Sequence, residues 1–467
     1  MPSRRNFCKG LMAGLALPAA AARADSPLAA PPKAAASPQA VEGFGALLPD
    51  PKQVIDLPAG FSYQILSVTG QKMADGLSVP GWPDGMHAFA LDEHRVSILC
   101  NHELDVSQQD MSAWQGSRPP NAAEKKFSYD LMAEQPAPGA VRRIIYDVKK
   151  AAVVQQHLAL AGTLRNCSGG PTPWGSWISC EETTRRAGQH GLNQHHGFCF
   201  EVPAKGKVLS VARPLKAMGR FFHESAVVDP STGIVYMSED RADGLFYRFI
   251  PRQPKKLDQG GRLQALALRS SDRSVATGNQ GASDIPVGKR FAVRWLDLED
   301  VESADDSLRH QGKSAGAAVF VRGEGLAVDE TVKRHTAIWI VASTGGRKGL
   351  GQLFRYFPSK YEGGFREQQA PGKLELFSEP NDGQLIRNAD NLALMPNGDI
   401  LLCEDHYGVQ RLVGMTRAGQ FYVLAANPRK ASEFTGPTFS PDGSTLFVNM
   451  QQQGGTLAIR GPWSRAV

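Results

Sequence analysis

The segment DNLALMPNGDILLCED, residues 390–405, and the segment TGPTFSPDGSTLFVNM, residues 435–450, share one pattern. Each has a first short strand-like run, a Pro-Asn-Gly or Pro-Asp-Gly turn and a second run, which predicts a β-hairpin. Four further segments fit the same frame, and they begin at His87, Cys167, Glu224 and Glu324. Six copies of a sheet-forming unit, with few long amphipathic helical patterns between them, predict an all-β chain folded as a six-bladed β-propeller.

The ends of the repeat region predict how the propeller closes. The last copy has too few strands for a full blade, while residues 61–68 (FSYQILSV) form a strand-like run before the first copy. Pairing that N-terminal strand with the last blade would remove an open sheet edge. We therefore expect one propeller domain over residues 51–467, with small insertions between blades and a helix within residues 295–310. The alternative is two or three separate β domains.

The N-terminus has the features of an export signal. Arg4-Arg5 precedes an apolar stretch at residues 11–22, followed by the small-residue cleavage pattern Ala22-Arg23-Ala24. This predicts a twin-arginine signal peptide at residues 1–24, the twin-arginine export machinery as a partner, and a periplasmic or secreted location. The apolar stretch is too short for a stable membrane anchor. Residues 25–50 are rich in Pro and Ala, which predicts a tether.

Composition and charge exclude several classes of protein. With 42% hydrophobic and 21% charged residues, the 467-residue chain is globular. Its formal charge is 52 − 46 = +6, but residues 1–24 contain four basic residues and no acid, so the remainder is 48 − 46 = +2. No nucleic-acid partner is expected from that balance. The five cysteines after the signal do not make a disulfide framework.

The register of the repeat predicts a metal site. The innermost strands of a propeller run in the same direction along its channel, so equivalent repeat positions form a ring. In chain order, the first positions are His87, Cys167, Glu224, Glu324, Asp390 and Thr435. Crowded carboxylates repel one another unless cations neutralise them. A thiolate among them favours iron near Cys167, and oxygen ligands alone favour calcium.

Further acids and one arginine extend this prediction. Acids at the ends of the second strands could complete the coordination, and they are Glu103, Glu181, Glu182, Glu239, Asp240, Glu404 and Asp405. Arg322 lies two residues before Glu324, so both side chains should point toward the channel, where a guanidinium can bind a phosphate oxygen. The alternative for Arg322 is a structural salt bridge. Arg347 and Lys348 are weaker candidates for the same anion. We expect Cys180, Cys199 and Cys403 to be core residues.

A set of motifs resembles the PhoX-type alkaline phosphatase family. The motifs are Asn101-His102-Glu103, Asn166-Cys167, Thr172-Pro173-Trp174-Gly175, Cys180-Glu181-Glu182, Gly219 to Glu224 (GRFFHE), Arg322-x-Glu324-Gly325, Asp390-Asn391-Leu392 and Phe434-Thr435-Gly436-Pro437. The resemblance implies a six-bladed propeller that hydrolyses phosphate monoesters outside the cytoplasm with two Fe3+ ions and Ca2+.

The resemblance also implies roles for individual residues. Cys167 looks like the thiolate that bridges the irons, and Glu224 and Glu324 look like metal-bridging or iron carboxylates. Glu182 and Asp390 look like calcium ligands. Glu103, one of the second-strand acids, is predicted as a further metal ligand from its position in the repeat. Arg322 looks like the phosphate-binding, catalytic arginine.

Other functions are open from the residues alone. A calcium-dependent propeller lactonase also places carboxylates around one channel ion, although a cysteine at the ring position argues against it. A non-catalytic exported propeller would use calcium as a structural ion and bind a partner through one face. We expect a monomer that acts on a small phosphate ester.

Overall fold

The computed structural model describes residues 38–206, 208–281, 284–331, 336–429 and 432–463. The predicted signal peptide, residues 1–24, lies outside the described residues, as does the tether up to residue 37. Strands make up nearly all the regular structure of the described part, so the predicted all-β class is confirmed.

The strands are numbered in chain order. Those up to residue 203 are β1 (Leu47–Leu48), β2 (Leu57–Pro58), β3 (Ser62–Val68), β4 (Pro83–Ala90), β5 (Arg95–His102), β6 (Leu131–Met132), β7 (Gln135–Pro136), β8 (Gly139–Asp147), β9 (Ala152–Thr163), β10 (Asn166–Pro171), β11 (Ser176–Glu181) and β12 (Cys199–Pro203). The next are β13 (His223–Val228), β14 (Val235–Glu239), β15 (Gly244–Pro251), β16 (Gly261–Leu268), β17 (Val275–Ala276), β18 (Arg290–Asp297), β19 (Ala318–Phe320), β20 (Gly323–Asp329), β21 (Ala337–Ala342), β22 (Gln352–Phe357) and β23 (Lys373–Ser378). The last are β24 (Ala389–Leu394), β25 (Ile400–Glu404), β26 (Arg411–Met415), β27 (Phe421–Ala426), β28 (Phe434–Phe439), β29 (Thr445–Met450) and β30 (Gly455–Arg460).

Helices in the described residues are short. The α-helices are α1 (Ala122–Phe127) and α2 (Leu308–Ser314), and the 3-10 helices are Val106–Met111, Lys216–Met218, Leu257–Gln259 and Glu367–Gln369. The helix expected within residues 295–310 is largely wrong. Its first residues belong to β18, where the Trp295 ring packs 4.4 Å from the Arg248 guanidinium, and helix begins only at Leu308.

Consecutive strands form the sheets. Four-stranded sheets are β4-β5-β8-β9, β24-β25-β26-β27 and β28-β29-β30-β3, and β10-β11-β12 form a three-stranded sheet. The strands from β13 to β23 join in one eleven-stranded sheet, because β18 pairs with both β16 and β23. Each large apolar cluster joins neighbouring sheets, as between β27 and β30.

The first strands of the six repeats lie side by side around a channel. Strand β4 contacts β10 and β28, β13 contacts β10 and β20, and β24 contacts β20 and β28. Residues of all of these strands line a cavity of about 430 Å³. The arrangement of the sheets is therefore propeller-like.

The N-terminal segment closes the fold as predicted. Strand β3 pairs antiparallel with β30, from Ser62 opposite Arg460 to Val68 opposite Gly455, so the last sheet takes its outer strand from the N-terminus. Residues just before β3 are also packed, which moves the boundary of the fold from residue 51 to about residue 40. The Phe44 ring lies 5.8 Å from the Tyr422 ring and is 3% exposed. The Pro/Ala-rich composition of residues 25–50 concealed this apolar anchor.

Candidate metal centre

The first strand of most repeats begins with an interruption in its ladder. In β4 the pairing passes from Pro83 opposite His102 to Met86 opposite Cys100, so two residues of β4 face one residue of β5. The same skip occurs in β10, β13, β20 and β24. A bulge of this kind bends a strand and redirects its side chains. The first residues within the skips are Asp84, Cys167, Glu224, Glu324 and Asp390.

The ligand atoms of these five residues lie together with two second-strand carboxylates. They form three overlapping groups, and within each group the ligand atoms are within 4.8 Å of one another. The groups are Asp84–Glu103–Cys167, Cys167–Glu182–Glu224 and Glu224–Glu324–Asp390. The structure thus brings Cys167 together with five of the carboxylates that the sequence proposed as metal ligands, namely Glu103, Glu182, Glu224, Glu324 and Asp390. We call the seven residues of the three groups the acidic cluster.

Asp84 is a member of the acidic cluster that sequence reasoning missed, and His87 was wrongly given its place. His87 lies three residues further along β4, where its ring packs 4.7 Å from the Phe89 ring and its Nδ1 is 3.4 Å from the Thr438 hydroxyl. Burial lowers the pKa of His87 to about 4, so the imidazole is neutral at pH 7. The signal that could have found Asp84 is its neighbour Gly85, since Asp84-Gly85 matches Glu324-Gly325.

In the sixth repeat, the residue at the ring position is Thr435, which is not a usual metal ligand. Thr435 remains paired with Asn449, and the skip in β28 follows one residue later. The Thr435 hydroxyl donates a hydrogen bond of 2.9 Å to the Pro83 carbonyl oxygen. Thr435 therefore joins β28 to the start of β4.

The carboxyl groups of the acidic cluster strongly resist ionisation. Burial, reinforced by the other carboxylates, raises the pKa values of Asp84, Glu224 and Glu324 well above their usual range. Burial, with Asp405 as the next cause, raises the pKa of Asp390 to about 7. Burial followed by the charge of Asp84 also raises the pKa of the Cys167 thiol. Such groups require protons or a cation to be stable in the folded protein.

Two unpaired carboxylate oxygen atoms indicate whether a cation fits the acidic cluster. Asp84 Oδ1 and Glu224 Oε1 are buried and accept no hydrogen bond from any described residue. Buried polar atoms in proteins are normally paired, so each unpaired one requires an explanation. Carboxylate oxygens next to a cysteine sulfur are a suitable donor set for a metal ion. The residues present therefore fit a bound cation.

The second-strand acids fall into two classes by strand alternation. Glu181, Glu239 and Glu404 point away from the acidic cluster. Glu181 accepts from the Gly197 amide, Glu239 accepts from the Tyr247 hydroxyl, and Glu404 forms a salt bridge with Arg411. The next residue in each repeat points toward the acidic cluster, and these residues are Glu182, Asp240 and Asp405.

Two arginines occupy equivalent positions beside the acidic cluster. Arg322 lies two residues before Glu324 and donates two hydrogen bonds to Asp240, of 2.8 and 3.0 Å, while its Nη2 is 3.3 Å from Glu324 Oε1. Arg165 lies two residues before Cys167, contacts Glu103 at 2.6 Å and forms a salt bridge with Glu182. Arg165 was not predicted from the sequence, although it has the same spacing to Cys167 that Arg322 has to Glu324.

Both arginines have left-handed backbone, with φ of 55° at Arg322 and 44° at Arg165. Their carbonyl oxygens accept hydrogen bonds of 3.0 and 2.9 Å from the amides of Ser343 and Glu182. Non-glycine residues rarely adopt this conformation and often do so at functional sites. Here it turns the chain into the bulge that carries the next ligand.

Other candidates lie elsewhere. Arg347 forms an exposed salt bridge with Asp284, and its backbone amide donates a hydrogen bond of 3.1 Å to Glu379. Neither partner is a member of the acidic cluster. The cysteines that the sequence assigned to the core, Cys180, Cys199 and Cys403, are fully buried as expected.

A comparison with protein families identifies the chain. The family model described as alkaline phosphatase PhoX matches residues 42–454. The chain belongs to the PhoX family. The predicted resemblance is thereby confirmed, and the chain is an enzyme of the PhoX-like alkaline phosphatase class.

A solved structure of the PhoX family shares the fold. The PhoX of Pseudomonas fluorescens in complex with vanadate, a transition state analogue, superposes with a TM-score of 0.65 at 18% identity, covering 89% of this chain and 97% of that chain. XC5397 of Xanthomonas campestris, described as a gluconolactonase, has a TM-score of 0.39 at 11% identity, with 90% and 98% covered. No curated protein sequence matches the chain.

Among the described residues, no helix is long and apolar enough to cross a bilayer.

Proposed function

We propose that this PhoX-family enzyme is an exported phosphatase that hydrolyses small phosphate monoesters at a metal centre formed by the acidic cluster. The observation that carries the proposal is the overlap of three ligand groups, with Asp84 Oδ1 and Glu224 Oε1 buried and unpaired. Family membership favours phosphate esters over lactones as the substrate class.

The donor atoms suggest how the cations are distributed. Cys167 lies in two of the three groups, and its thiolate favours iron there, in line with the two Fe3+ ions that the resemblance implies. The third group, Glu224–Glu324–Asp390, offers oxygen alone, which also suits Ca2+. Bound cations would polarise phosphoryl oxygens as Lewis acids and neutralise the carboxylates.

Arg322 accounts for recognition of the substrate. In this proposal Arg322 binds a phosphoryl oxygen, since its guanidinium is 39% exposed beside the acidic cluster. A planar guanidinium can donate two parallel hydrogen bonds to a phosphate. Before substrate binds, the hydrogen bonds to Asp240 orient the guanidinium and raise the pKa of Arg322 above its usual value. Arg322 thereby stabilises charge that grows on the transferred group.

The finer fold and the location also belong to this proposal. We count six blades by taking the eleven-stranded sheet as two blades, β13 to β16 and β20 to β23, bridged by β18. The twin-arginine pattern at residues 4–5 supports export to the periplasm or beyond as a folded protein.

Elemental analysis combined with activity tests the proposal. The chain, produced through its own export route, should contain iron and calcium and hydrolyse a chromogenic phosphate monoester. Glu224→Gln should lose both bound iron and turnover, because it removes a charge shared by two ligand groups. Glu330→Gln, which neutralises an exposed carboxylate outside the acidic cluster, is the matched control. Turnover by metal-free protein, or full activity of Glu224→Gln, would refute the proposal.

A further inference from the structure

A second group of metal-ligand side chains lies behind the acidic cluster. Cys180 of β11, Cys199 of β12 and His223 of β13 are each 0% exposed, and their ligand atoms lie within 4.8 Å of one another. The two sulfur atoms are 3.6 Å apart, and Cys199 Sγ is 3.2 Å from His223 Nδ1. We call these three residues the thiol cluster.

The distances in the thiol cluster suit coordination of one ion. A tetrahedral ion with metal–sulfur bonds of about 2.3 Å and metal–nitrogen bonds of about 2.0–2.1 Å separates two sulfurs by roughly 3.8 Å and a sulfur and a nitrogen by roughly 3.5 Å. The sulfur–sulfur separation and the separation between Cys199 Sγ and His223 Nδ1 are within a few tenths of an ångström of these values. The remaining pair, Cys180 and His223, lies within 4.8 Å, so its ligand atoms would have to approach by at most about 1.3 Å to bind an ion.

The orientation of the imidazole is the second, independent observation. His223 Nε2 is 3.0 Å from the Gly219 carbonyl oxygen, which can only accept, so Nε2 carries the proton. The lone pair of a neutral ring is then on Nδ1, which faces Cys199 Sγ. A hydrogen bond from the second ring nitrogen to a carbonyl is the usual way in which proteins orient a ligating histidine. The Phe221 ring, stacked 3.6 Å from the imidazole, further fixes the orientation.

We propose that Cys180, Cys199 and His223 form a buried structural site for a soft cation, Cu+ or Zn2+. Two sulfurs and one imidazole nitrogen select such ions, in contrast to the oxygen-rich acidic cluster. Binding is not a redox step: each thiol releases its proton to solvent, and both sulfurs donate electron pairs to the ion. Three ligands are sufficient for Cu+, whereas two thiolates leave a buried site neutral only with Zn2+.

Such a site would stabilise the metal centre from behind. Cys180 lies two residues before Glu182, and His223 immediately precedes Glu224. An ion bound by the thiol cluster would link β11, β12 and β13 at the point where two of these strands lead into the acidic cluster. The surroundings are apolar and include Ile178, Met218 and Tyr247, as expected for a site without solvent exchange.

The experiment measures copper and zinc in the full, exported chain and the X-ray absorption at whichever edge is occupied. We expect about one soft ion per chain with two sulfur neighbours at about 2.3 Å. That pattern is specific, because the only sulfur in the acidic cluster, among the described residues, is Cys167. The identity of the edge distinguishes Cu+ from Zn2+.

Variants give the matched comparison. Cys199→Ala and Cys199→Ser should lose the two-sulfur signal, whereas Cys403→Ala, which removes a different buried thiol, should retain it. The proposal is overturned if the wild-type chain contains neither ion or shows no two-sulfur neighbourhood. Mass spectrometry that finds Cys180 and Cys199 joined as a disulfide would overturn it as well. The wild-type measurement alone decides the matter if the Cys199 variants do not fold.

Discussion

At the scale of single residues, Asp84 is bound by the protein on one side only. Its Oδ2 accepts a hydrogen bond of 2.6 Å from Gln451 and lies 3.7 Å from Cys167 Sγ, while Oδ1 has no partner among the described residues. This arrangement fixes the carboxylate and leaves one oxygen for a ligand. A hydrogen-bonded carboxylate with a free oxygen is how metal-binding acids are commonly held.

The exchange Asp84→Asn therefore tests the ring directly. It removes one negative charge beside Cys167, and we expect bound iron to fall and kcat to drop by roughly 100-fold or more. His87→Gln, three residues further along the same strand, should retain metal and activity. Iron analysis and monoester hydrolysis of both variants check this. A larger loss in His87→Gln than in Asp84→Asn would show that the original sequence register was right.

Arg322 allows a prediction that separates substrate binding from metal binding. In Arg322→Ala we expect kcat/KM to fall by about 100-fold, the range for loss of one donor to a developing oxyanion. The metal content should not fall, because the guanidinium competes with cations for Asp240 and Glu324. Steady-state kinetics with elemental analysis measure both effects.

The control for Arg322 is Arg347→Ala, which removes an exposed arginine paired with Asp284 and should leave kcat/KM unchanged. If Arg322→Ala loses its metals together with its activity, Arg322 has a structural role. That result would favour the alternative stated from the sequence, in which Arg322 forms a structural salt bridge.

At the scale of elements, the bulge explains why the sequence predicted most of the metal centre but not all of it. Cys167 and Asp390 could be aligned because both their hairpins place a cysteine thirteen residues later. His87 also lies thirteen residues before a cysteine, but the structure places Cys100 opposite Met86 rather than opposite the bulge. Strands β4 and β5 are longer than the strands of the other two hairpins, so an ungapped spacing shifted the register by three residues.

Other elements could not be predicted because their partners are distant in sequence. Strand β18 pairs with β16 on one side and with β23, about eighty residues later, on the other. Its charged residues resembled a helix, and no local pattern indicates a bridge between two sheets. By contrast, the closure by β3 was predictable, since an unpaired strand at one end and an incomplete blade at the other require each other.

The closing strand supports a prediction of stability. Leu66 of β3 is 6% exposed and packs with Met86 and Phe447, while its neighbour Ile65 is 46% exposed. Leu66→Ala should lower the free energy of unfolding by about 2–5 kcal/mol, the cost of a cavity in a core. Ile65→Ala, in the same strand, should cost much less. Urea unfolding of the two variants measures the difference, and equal costs would mean that β3 does not close the fold.

At the scale of the whole molecule, five of the six repeats contribute side chains to one concentration of negative charge. Every carboxylate of the acidic cluster is contributed by a different strand or strand end, so repulsion between them acts on the sheets that carry them. Arg165 and Arg322 neutralise part of this charge, and the raised pKa values show that the rest is not balanced by protein groups. Cation binding and folding should therefore be coupled.

The pH dependence of stability should thus reverse when metals are removed. The pKa of Asp390 is raised from 3.8 to about 7, so the metal-free folded state binds a proton that the unfolded state has lost in that interval. The contribution of Asp390 to the stability of the chelator-treated protein should be greatest below about pH 4 and should fall as the pH rises to about 7. In the metal-loaded protein, protons compete with cations, so stability should rise over the same interval.

Thermal unfolding between pH 4 and 8, with and without chelator, measures both slopes. Asp390→Asn should flatten the slope of the chelated protein, and equal slopes in the two states would contradict a cation at the acidic cluster.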